Sequence, residues 1–175
     1  MSKALVVIDH QKAMFGNPNM QPYDGEAVTD RIAALMAQAR SMGTPVFFVQ
    51  HDGGTDDELH PGKPGYPFHE KVAPLAGENV TVKTKSSAFH GTDFDAKLKR
   101  AGIDHLVITG MQSEYCVTSA IRGAYERGYK LTLVSDGHST FDTRIAKGKD
   151  IAAIINDTTR GSFADVIPAA EIDFG

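Results

Sequence analysis

A doubly wound α/β sandwich, with helices on both faces of a mainly parallel sheet, is the fold class this sequence predicts. Two observations predict it. Four apolar, β-branched runs, at residues 4–8, 46–49, 106–109 and 131–134, are nearly continuous rather than alternating, as in strands buried on both faces. Between them lie stretches with helical patterns, closed by glycine. Strand and helix in alternation imply right-handed crossovers that cover the sheet from both sides.

The elements follow in order. The first strand, ALVVI, ends at Asp9. Residues 26–42 then carry Val28, Ile32, Leu35, Met36 and Ala39 at three-to-four spacing, with Gly43 as the stop, and lead into the strand at 46–49 as a β-α-β unit. Residues 52–76 break the pattern, being rich in Gly, Pro, Asp and His. A loop of that length inside a compact domain points to function rather than linkage. Residues 80–82 form a weaker strand candidate, followed by a helix over 93–101 stopped by Gly102. After the strand at 106–109, Ser113 is a plausible N-cap for a helix over 114–127, which Gly128 ends. The strand at 131–134, a helix over 144–156 and a second weak strand at 164–167 complete the chain.

At 175 residues, 41% of them hydrophobic, the chain can bury one sizeable core, and residues 1–175 read as a single domain. Eighteen basic and 22 acidic side chains give a net charge of -4, with no run of five like charges, which argues against nucleic acid or an anionic membrane as partner. The apolar run at residues 4–8 is too short for a signal-peptide core or a transmembrane helix, so a cytoplasmic location is expected. The one cysteine, Cys116, has no partner for an internal disulfide.

Cys116 falls three positions into the predicted helix after the strand at 106–109. Backbone N–H groups and the positive end of the helix macrodipole there favour a thiolate of lowered pKa and could form an oxyanion hole. The same residue also fits a small buried apolar filler. Asp9 ends the first strand, where the crevice of an open α/β sheet lies, although a turn residue or helix cap would look no different. Lys83 ends VTVK. Beside a thiol and a carboxylate it would stabilise charge or pass a proton; alone it reads as a solvated surface lysine.

Three separated segments, ALVVIDHQ, VTVKTKSSAFHGTDFDAKL and VITGMQSEYCVTSAIRGAYERGYKLTLVSDG, together resemble the isochorismatase-like cysteine hydrolases, the group of nicotinamidases and N-carbamoylsarcosine amidases. The resemblance spans residue 4 to about 140. It implies a three-layer sandwich around a six-stranded parallel sheet, with a catalytic triad of Asp9, Lys83 and Cys116. It also implies a cis peptide between Met111 and Gln112, with the N–H groups of Gln112 and Cys116 facing the oxyanion. The implied chemistry is covalent cleavage of a small-molecule amide or carbamoyl C–N bond. Dimers or tetramers of identical chains are implied as well.

The departures are informative too. Nicotinamidases of this group hold a metal through Asp-x-His after the second strand, where this chain has His51 and Gly53, so no metal and no cofactor are expected. The spacing of His51, His60, His69 and His90 fits no closed metal motif. Phe15, Tyr66, Phe68, Phe89, Tyr115 and Phe141 are aromatic candidates for a pocket, with core packing as the plainer role. Gln11, Phe15, His51 and Tyr115 are taken as substrate-binding candidates, and Glu114 as a charge at a helix N-terminus. Two other readings stay open: vinyl-ether hydrolysis of the isochorismatase type without covalent catalysis, and a non-enzymatic thiol module for redox or binding.

Overall fold

A computed structural model describes residues 2–175. Six strands form one sheet: β1 (Lys3–Ile8), β2 (Val46–His51), β3 (Asn79–Lys83), β4 (His105–Met111), β5 (Lys130–Ser139) and β6 (Asp165–Ile167). Their order is β3-β2-β1-β4-β5-β6 and every pairing is parallel, the doubly wound topology expected. The strand order reverses between β1 and β4. The carboxyl ends of these two strands therefore flank the crevice.

Alternate residues of each strand face opposite layers. On one face Ala4, Val6 and Ile8 pack with Phe47, Phe94, Leu98 and Ile121, drawing in α2 (Phe94–Arg100) and α3 (Thr118–Tyr125), with Ile155 of α4 (Gly148–Thr159) against the same cluster. On the other face Leu5, Val7 and Phe48 meet Val28, Ile32, Leu35 and Met36 of α1 (Gly25–Ser41), which is the helix the 26–42 periodicity predicts. Burial on both sides is why β1, β2 and β4 read as unbroken apolar runs.

The differences from sequence expectation have local causes. β5 continues to Ser139, past Val134, because the β4–β5 register shifts: Ile108 pairs with Leu133, whereas Gly110 pairs with His138. The turn-like residues Ser135, Asp136 and Gly137 occupy that irregularity. α4 begins at Gly148 rather than 144, because the Thr143 N–H and hydroxyl bond the Ala146 carbonyl and close a turn first. The loop at 52–76 is pinned to the segment after β1: Lys12 N–H donates to the Pro67 carbonyl at 2.8 Å, Ala13 N–H to Gly65 at 2.9 Å and His69 N–H to His10 at 2.9 Å. Among the described residues, no helix is long and apolar enough to cross a membrane.

Candidate active site

Asp9, Lys83 and Cys116 converge at the carboxyl edge of the sheet. Asp9 leaves β1 with φ 46°, a left-handed conformation that aspartate tolerates better than most residues. Lys83 is the last residue of β3, two strands away. Its ammonium lies 2.6 Å from Asp9 Oδ2, 3.2 Å from Cys116 Sγ and 3.2 Å from His51 Nδ1. An ammonium has three hydrogens, and three acceptors surround this one. The Asp9 contact is close but poorly aligned for a hydrogen bond, so it is an ion pair.

Burial dominates the protonation of the cluster. It raises the Asp9 carboxyl above the usual aspartate range against the opposing pull of Lys83. The Cys116 thiol is pushed up to about 12, first by burial and then by the negative charge of Asp9, with Lys83 pulling the other way. This corrects the expectation of a thiolate favoured by its helix terminus. A single wide turn of backbone dipoles does not offset desolvation next to a carboxylate.

Cys116 sits in a π turn, Ser113–Val117, that leads directly into α3. The Gln112 carbonyl closes this turn, accepting from the N–H groups of Tyr115 and Val117, each at 3.2 Å, so those two amides are occupied. Residue 112 is the cap position and the Met111–Gln112 peptide is cis. Ser113 does not cap the turn, contrary to the sequence reading. Its hydroxyl turns inward to His138 Nδ1 at 2.7 Å.

The remaining candidates divide. His51 ends β2 half-buried against Lys83; burial, then the neighbouring ammonium, lowers its pKa, leaving a neutral ring whose Nδ1 accepts. Gln11 is buried, and its amide is taken up by backbone: Nε2 donates to the His51 and Tyr66 carbonyls at 3.0 and 2.8 Å, and Oε1 accepts from His51 N–H at 2.9 Å. That clamp ties the end of β2 to the 52–76 loop. Phe15 packs between His10 and His69, with both ring centroids at 5.0 Å, and Tyr115 is exposed. Phe68 and Phe89 belong to the two cores.

The residues present do not fit the metal site of the nicotinamidases. His51 directs its Nδ1 at an ammonium, a position in which a cation would be repelled, and Gly53 offers no side chain. His60 lies 3.5 Å from Asp52, His69 Nδ1 accepts from Lys71 N–H, and His90 is exposed. Among the described residues, no three His, Cys, Asp or Glu side chains are grouped to hold an ion.

The model of the isochorismatase domain matches residues 3–171 of this chain. The chain belongs to the isochorismatase family. It is 37% identical over 147 residues to the uncharacterized isochorismatase family protein YddQ of Bacillus subtilis (strain 168), covering 83% of this chain and 82% of that one. It is 36% identical over 140 residues to a streptothricin hydrolase of Streptomyces noursei, covering 80% of this chain and 50% of the other. The crystal structure of an isochorismatase from Pseudomonas putida KT2440 superposes with a TM-score of 0.93 at 28% identity, over 98% of this chain and 90% of that one. This isochorismatase-family chain is thus a hydrolase.

Proposed function

We propose that the protein is a cysteine amidohydrolase that cleaves a small-molecule amide or carbamoyl C–N bond through a thioester on Cys116. The observation that carries this reading is the single ammonium of Lys83 placed 2.6 Å from Asp9 and 3.2 Å from the Cys116 sulfur. Thiol and carboxyl share one buried charge partner. Kinship to a ureidoacrylate amidohydrolase of Variovorax paradoxus (strain S110), 27% identical over 168 residues, supports C–N chemistry of this kind.

A thiol pushed up to about 12 does not wait as a thiolate, so its proton leaves as the sulfur attacks. Asp9 takes that proton while the S–C bond forms, and the amides of Gln112 and Cys116 receive the oxyanion. Asp9, raised by burial toward working pH, then returns the proton to the leaving nitrogen as the C–N bond breaks. Water attacks the thioester, gives its proton to Asp9 and releases the acid, and Asp9 reprotonates the sulfur. Lys83 remains protonated throughout, holding Asp9 and the sulfur in place. In a reducing cytoplasm the thiol stays available for each cycle. Assembly into a homo-dimer or homo-tetramer belongs to the same reading, and the exposed Tyr115, Ile145 and Ile154 supply apolar surface for it.

The test is intact-protein mass spectrometry of wild type and Cys116→Ala with primary amides, carbamoyl compounds and isochorismate, following ammonia in parallel. An acyl adduct on Cys116 together with ammonia release is expected. Equal consumption of isochorismate by both proteins without an adduct would replace this reading with vinyl-ether hydrolysis; an unreactive pair would favour a thiol module without catalysis.

A further inference from the structure

Behind the nucleophile runs a buried chain of side chains that the mechanism above does not use. Ser113 Oγ lies 2.7 Å from His138 Nδ1, His138 Nε2 lies 3.0 Å from Asn156 Oδ1, and Asn156 Nδ2 donates to the Ser135 carbonyl at 2.9 Å. The last bond fixes the direction of the others. With its amide nitrogen engaged, Asn156 presents its oxygen, so His138 Nε2 carries the proton and Nδ1 accepts the Ser113 hydroxyl. Ser113 is 0% and His138 2% exposed.

We propose that Ser113, His138 and Asn156 act as positioning residues that set the turn carrying Cys116. The proposal rests on the cysteine amidohydrolase reading and adds a support that reading lacks. Three elements meet in the chain: the π turn, β5 and α4. The β4–β5 register shift puts His138 opposite Gly110, two residues before Gln112 and three before Ser113, so the ring stands beneath the turn. From above, Thr118 Oγ1 donates to the Ser113 carbonyl at 2.7 Å. Ser113 is thus held at both its side chain and its backbone. It lies between the two residues, Gln112 and Cys116, whose amides would receive the oxyanion.

The imidazole suits a fixed acceptor. Burial lowers its pKa against the hydrogen bond of Asn156 and the charge of Asp136, the carboxylate that acts on it, so Nδ1 stays unprotonated. Losing the hydroxyl would leave that nitrogen buried without a partner and free the turn to shift. Displacement by about 1 Å at a reacting group costs on the order of a hundredfold in rate, which sets the scale of the effect.

The experiment compares wild type with Ser113→Ala, Ser113→Thr, His138→Ala and the Ser113→Ala/His138→Ala double variant, each first shown to fold by circular dichroism. One arm follows alkylation of Cys116 by iodoacetamide against pH, which needs no substrate; the other measures kcat and KM on whichever amide wild type hydrolyses. In Ser113→Ala and His138→Ala, kcat should fall on the order of tenfold to a hundredfold with KM little changed, and the alkylation midpoint should move. Threonine at 113 should restore both, and the double variant should be no worse than the poorer single one, since the pair acts as one unit. Folded single variants with the wild-type midpoint would overturn the proposal, as would losses that multiply in the double variant. Wild type inert toward every amide would sink the amidohydrolase reading alone, leaving the alkylation arm to decide this one.

Discussion

Lys83 and Asp9 meet at 2.6 Å with side chains 0% and 1% exposed, so the carboxyl edge of the sheet holds a fully desolvated ion pair. Taking each ion out of water costs several kcal/mol, and only good geometry and further partners offset it. Lys83 has those partners in His51 and Cys116, whereas both Asp9 oxygens lack a well-aligned hydrogen bond. The arrangement spends stability to keep a carboxyl able to exchange protons.

Breaking this pair from one side is expected to be more costly than removing it. Lys83→Met leaves Asp9 buried and uncompensated and should destabilise the fold by about 3–5 kcal/mol, whereas Asp9→Asn/Lys83→Met, which removes both charges and keeps at position 9 a residue that tolerates the left-handed backbone, should recover much of that loss while remaining inactive. Urea unfolding of the three proteins measures it. A Lys83→Met protein as stable as wild type would show that the pair is not desolvated in solution.

Thiol reactivity and turnover should part company when Asp9 is neutralised. The carboxylate raises the Cys116 pKa and Lys83 lowers it, so Asp9→Asn removes the charge that opposes ionisation and keeps the one that favours it. At any pH from 7 to about 10, Asp9→Asn should be alkylated by iodoacetamide faster than wild type, with turnover lost by about a hundredfold or more. Slower alkylation in the variant would mean that Asp9 activates the thiol in the resting protein.

How far the sequence could be read depended on where each signal resided. The runs ALVVI and VFFV announced β1 and β2 because both faces are buried, while Val82, 48% exposed at the sheet edge, shows why β3 looked weak. The last part of β5 was hidden by Ser135, Asp136 and Gly137, which carry the chemistry of a turn but lie within a strand irregularity. Asp9, Lys83 and Cys116 each follow or end a strand run, a position that left plainer roles open; the resemblance of the three segments to the family is what grouped them. The contact of His51 with Lys83 joins residues 32 apart, and no spacing rule reveals it. Ser113 had the right residue type and position for a cap; only the buried ring of His138, brought in from β5, draws its hydroxyl away.

Chelation should leave the activity intact, for a reason visible at His51. Its Nδ1 accepts from the Lys83 ammonium at 3.2 Å, and a divalent ion bound to that nitrogen would face the ammonium charge at close range. Turnover in excess EDTA should match the untreated enzyme, and added zinc should not raise it. Loss of activity in EDTA that zinc or iron restored would mean that the histidines of the 51–90 region regroup around an ion.

Acid should weaken the fold through His10, the residue that follows Asp9. This ring is wholly buried, donates from Nε2 to Thr29 Oγ1 at 2.7 Å and has no partner for Nδ1. Burial, then the neighbouring His69, pushes its pKa down to about 3 from the ordinary 6.5. Between those values the unfolded chain holds the proton and the folded one does not, so stability is fully present above pH 6.5 and is lost as pH falls toward 3. His138, lowered by burial as well, adds a change of the same sign. Wild type should therefore lose on the order of a few kcal/mol over that interval. His10→Gln keeps a donor for Thr29 and removes the titration, so its stability against pH should be shallower by up to one proton. Urea midpoints at steps from pH 7 to 4 measure the difference, and parallel curves for the two proteins would show that His10 titrates normally in the folded state.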